Sequence, residues 1–61
     1  MRDTVDQHLT GTIYPAIGID KPENHEKIVD FIVEDIKETA DPDNWHSGDI
    51  EIGFRRFLES K

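Results

Sequence analysis

The side chains best suited to chemistry in this sequence are three histidines, His8, His25 and His46, and a dense set of fourteen carboxylates. There is no cysteine, so neither a thiolate ligand nor a thiolate nucleophile is available. No two histidines stand three or four residues apart, the spacing that lets one helix present two imidazoles to a metal. They read as independent surface histidines. Asp41-x-Asp43 opens like a calcium loop, but Trp45 then falls where an oxygen ligand is needed, and the glycine, Gly48, comes two positions late. Ser47 and Ser60 have no base at a recognisable spacing, and no Gly-x-Ser-x-Gly or phosphate-cradling glycine loop is present. The expectation is a chain without catalytic activity, cofactor or metal.

The most distinctive carboxylates are Glu26, Asp30, Glu34 and Glu38, one every four residues. On a helix they form a row with about 6 Å between successive members. Like charges at that spacing repel by a few tenths of a kcal/mol, which Lys27 and Lys37 partly offset. The plainer reading is a solvated outer face. The sharper one is a docking surface for a basic protein partner, whose binding would weaken with salt. Asp35 interrupts the apolar side of the same helix. Either it marks the edge where that side meets solvent, or Arg55 or Arg56 pairs with it from a neighbouring element. Phe31 and Trp45 are the candidates for self-association: Phe31 extends the apolar arc, and tryptophan is a frequent interface anchor. Trp45 serves equally well as a lid over a helix junction.

These residues need elements to hold them. Ile28, Val29, Ile32, Val33, Ile36 and Ala40 share one face at 100° per residue, predicting a long helix over 21–40. Asp20 and Glu23 resemble a capping box, and Asp41-Pro42 supplies the stop. Ile50, Phe54, Phe57 and Leu58 predict a second helix over 48–59 capped by Ser47, with Ile52 pointing away from its apolar face. Residues 4–9 fit one or two helical turns ending near Gly11. Residues 12–19, interrupted by Pro15 and Gly18, fit an extended segment. The fold class is mainly α. The alternative is α+β, with strands near 12–19 and 50–54.

Sixty-one residues make a single small domain near the lower limit for independent folding. The formal charge is −7, and residues 20–43 alone carry −6, which disfavours direct binding to nucleic acid or an anionic membrane. Apolar runs are too short to span a bilayer, and the N-terminus lacks the layout of an export signal, so a cytoplasmic setting is expected. The long helix has more apolar surface than one short neighbour covers, which predicts a homodimer. The functional expectation is a small acidic protein-binding or regulatory module, acting through the acidic helix face or an apolar groove. A self-associating structural subunit is the alternative.

Overall fold

The computed structural model describes residues 1–41 and 43–60. Among these the chain is helical, with no strand. Helix α1 (Arg2–His8) runs without a break into a π-helical turn (Leu9–Ile13) and then helix α2 (Tyr14–Ile17). These three pieces form one N-terminal rod. Helices α3 (His25–Thr39) and α4 (Ser47–Glu59) complete a three-rod bundle of 30 × 23 × 16 Å. The α3–α4 pair is the most extensive contact, and α1 packs against both.

The rod replaces the extended segment expected over 12–19. Pro15 would drive its ring into the carbonyl of Gly11 in a regular helix. The wider turn over Leu9–Ile13 opens the backbone just ahead of it, so the helical path continues past the proline. It ends where Gly18 takes a left-handed conformation (φ 75°), with the Ile19 N–H donating to the Tyr14 carbonyl at 3.0 Å. The expected stop at Gly11 is therefore overrun by nearly two turns.

Helix α3 starts four residues later than its sequence signals suggest. Lys21 precedes a proline and is disfavoured from helical geometry. Residues 22–25 close a turn instead, the His25 N–H donating to the Pro22 carbonyl at 3.1 Å. Asp20 and Glu23 thus lie outside the helix and form no capping box. At the other end Ala40 is extended. The expected stop included Pro42, which lies outside the described residues. Around it, Asp41 closes a turn by accepting from the Asp43 N–H through its side chain and from the Asn44 N–H through its carbonyl, each at 2.9 Å.

Residues 50–54 are helical, and the alternative pairing of strands falls with them and with residues 12–17. The cap of α4 is His46, one residue before the expected Ser47. The Gly48 N–H donates to His46 Nδ1 at 3.2 Å, and the His46 N–H donates to the Asp49 carboxylate at 3.0 Å. Ile50 and Phe54 are buried while Ile52 is exposed, as the helical period requires. The core joins Val5, Leu9, Ile13 and Tyr14 of the rod to the apolar face of α3 and to Ile50 and Phe54. Gly53 lets α3 and α4 approach: a Cβ there would meet Ile32 at 3.3 Å. Among the described residues no helix is long and apolar enough to cross a membrane.

Candidate functional site

Three polar side chains from three elements meet inside the bundle. His25, the first residue of α3, is 2% exposed. Its Nδ1 lies 2.9 Å from the Tyr14 hydroxyl, and its Nε2 is hydrogen-bonded to the Asp6 carboxylate. An ionised carboxylate only accepts, so Nε2 carries a proton. Nδ1 then accepts from the Tyr14 hydroxyl while the ring is neutral, or donates to it when the ring is doubly protonated. Tyr14 also stands edge-on to His25 and to Phe54. Burial raises its pKa above 10.0, and the negative charge of Asp6 adds to the effect.

Carboxylate, imidazole and hydroxyl in series can activate a nucleophile. Here the hydroxyl is the enclosed end, and its raised pKa is the reverse of activation. The solvent-facing end is Asp6. The series fastens α1 and α2 to the start of α3, which explains why a histidine can be buried at this position at little cost. Sequence spacing predicted a surface histidine, and this is a correction. The positions 6, 14 and 25 share no period, and the imidazole turns inward only once the turn at 18–24 has folded α3 back on the rod. His8 departs from the surface reading too, with Nε2 enclosed and no hydrogen-bond partner among the described residues. His46 alone is exposed, as the cap of α4.

Asp6 borders a polar cleft of about 310 Å³ lined by Arg2, Asp3, Lys21, Glu26 and Val29. Arg2 spans the upper half of the acidic row, donating to Glu26 at 2.8 Å and pairing with Asp30. Glu34 has only a loose contact with Lys37, at 3.9 Å, and Glu38 has no ion pair among the described residues. All four carboxylates are exposed on one side of α3. The row exists as spacing predicts, with its first two members joined to a cation from α1.

Asp35 belongs to the interior edge. Arg56 donates to it from α4 at 2.8 Å, one of the two partners its position suggested. The Phe31 ring lies edge-on to Phe57, with centroids 5.4 Å apart, and Trp45 packs against the core. Both stay partly exposed, but each already has an intramolecular neighbour.

A second opening, also about 310 Å³, is apolar. Thr12, Ile13, Ala16 and Ile17 of the rod form one wall, and Glu51, Phe54, Arg55 and Leu58 of α4 form the other. Ile17 is 54% exposed and Leu58 48%, so its lips are large aliphatic side chains facing solvent. Sequence reading expected an apolar groove but could not place it, because it set residues 12–19 in an extended segment. Once that segment is helical, Ile13, Ala16 and Ile17 fall on one side at spacings of three and four. No family model, curated protein or solved structure matches the chain.

Proposed function

We propose that this chain is a small, non-catalytic protein-binding or regulatory module that docks through the apolar groove between the rod and α4. The observation that carries the reading is the exposure of Ile17 and Leu58 across an open apolar cleft in a chain whose other large aliphatics mostly fill its core. Exposed aliphatic surface of this kind is favoured by burial against another apolar surface. The occupant argued for below is a second copy of the chain. The acidic side of α3 offers a separate surface for a basic protein, supported by the −6 charge of residues 20–43 and by Glu34 and Glu38, which no arginine engages among the described residues.

Photo-crosslinking in intact cells that make the protein tests this reading, with the reactive side chain placed at position 58 or at position 38. Docking through the groove gives a discrete protein adduct from position 58 that Ile17→Asp abolishes. Adducts from position 38 alone would move the function to the acidic face. No adduct from either position would overturn the module reading.

A further inference from the structure

We infer that the occupant of the groove is a second copy of this chain, related by a two-fold axis that sets the two α4 helices antiparallel; this rests on the docking role just proposed. The argument begins with charge. A chain of net charge −7 repels its own copies, most strongly through residues 20–43, which carry −6. The groove is the exception: its lining holds one acid, Glu51, and one base, Arg55, and no residue of α3 contributes. A groove built for a basic partner would have an acidic rim, and one built for an acidic partner a basic rim. A balanced rim fits a surface that must be complementary to itself.

The spacing supplies the symmetry. Gly48, Glu51, Arg55 and Leu58 follow one another at intervals of three, four and three residues. At 100° per residue they share an arc of about 80° on α4, the seam spacing of paired helices. In an isologous contact, residue i meets j while j meets i. With the two-fold axis at the level of Gly53, Arg55 faces Glu51 of the partner subunit and Glu51 faces the partner's Arg55. Leu58 then lies opposite the partner's Gly48, beside the His46 ring that stands 3.1 Å from where a Gly48 Cβ would be. Neither Glu51 nor Arg55 forms an ion pair among the described residues, although they stand one helical turn apart. Both are available to a partner. A standard interface of about 800 Å² per subunit would take roughly a fifth of the chain's 4172 Å², so the whole groove face takes part, Ile17 included.

Sedimentation equilibrium of the purified full chain, alone and in mixtures, tests the inference. Wild type should dimerise. Arg55→Glu and Glu51→Arg should each weaken dimerisation about tenfold or more, because each sets like charges across the axis. An equal mixture of the two variants should recover dimer, since one subunit then offers two acids and the other two bases. Leu58→Asp should also give monomer, with helicity by circular dichroism confirming that the fold survives; the mixture remains decisive even where that variant unfolds. Wild type that stays monomeric at about 1 mM, or dimers indifferent to both charge variants, would overturn the inference. A monomer that nevertheless forms the position-58 adduct with a different protein in cells would leave the docking role standing without it.

Discussion

The link between Asp6, His25 and Tyr14 makes a buried histidine compatible with a small core. Both ring nitrogens have partners, and removing one partner leaves a buried polar atom unsatisfied. Tyr14→Phe deletes the hydroxyl and strands His25 Nδ1, so it should cost about 1–3 kcal/mol in urea unfolding. The same hydroxyl makes stability depend on alkaline pH. The folded chain holds the phenolic proton more tightly than the unfolded chain, because burial and then the Asp6 carboxylate raise the pKa. Its contribution is therefore complete below 10.0, the unfolded value, and is lost as pH rises from there through the folded-state value. Tyr14 is the only tyrosine, so phenolate absorbance reads it alone. The titration should have its midpoint above 10.0 and coincide with loss of helicity. A midpoint at 10.0, or unfolding unchanged in Tyr14→Phe, would show that the hydroxyl contributes nothing. None of this is legible in sequence, because the three residues become neighbours only through the path of the rod and the turn into α3.

The elements themselves were legible where periodicity is long and uninterrupted. The apolar face of α3 and the stripe of Ile50, Phe54, Phe57 and Leu58 on α4 could be read directly, although Leu58 stays exposed, and of the two arginines offered to Asp35 it is Arg56 that pairs with it. The rod was not, because Pro15 and Gly18 are helix-breaking signals whose effect depends on context. Gly18 does end a helix, whereas Pro15 is absorbed by a π turn that no residue pattern announces. Glycines separate intrinsic propensity from packing in the same way. Alanine in place of a helical glycine gains up to about 1 kcal/mol from propensity alone. At Gly11 a new Cβ meets nothing within 4 Å, so Gly11→Ala should raise stability by about 0.5–1 kcal/mol. At Gly53 it meets the branched carbons of Ile32, which is fully buried, at 3.3 Å, and the Asp35 carboxylate at 3.4 Å. Crowding a packed core typically costs 1–3 kcal/mol, and Ile32 must give by a few tenths of an ångström inside the core to admit the methyl group. Gly53→Ala should therefore lower stability by about 1 kcal/mol despite the propensity gain. Thermal or urea melts of the two variants should shift in opposite directions, and a stabilised Gly53→Ala would mean that α3 and α4 are packed more loosely than their contact indicates.

At the scale of the molecule, size and charge act together. A chain of 61 residues buries about 60% of its unfolded surface, and here Ile17, Ile19, Ile52 and Leu58 remain outside the core it can build alone. Residues 20–43 carry −6 of the net −7, while the groove lining pairs one acid with one base. A second copy on that face would add to the buried apolar surface without bringing the acidic rows into register. Folding and association are then linked, since the dimer competes with two unfolded chains and dilution favours the latter. A hundredfold dilution changes the balance by about 2.7 kcal/mol per dimer, or about 1.4 per chain. With an unfolding entropy near 2.1 cal/mol/K per residue, a chain of this length responds by roughly 10 °C. Melting curves recorded from about 1 mM down to 10 μM should thus fall by several degrees for the wild type. Leu58→Asp, held monomeric, should melt at one temperature throughout that range. A wild-type midpoint that does not move with concentration would mean that the single chain is stable by itself and that its exposed aliphatic face contributes nothing to folding.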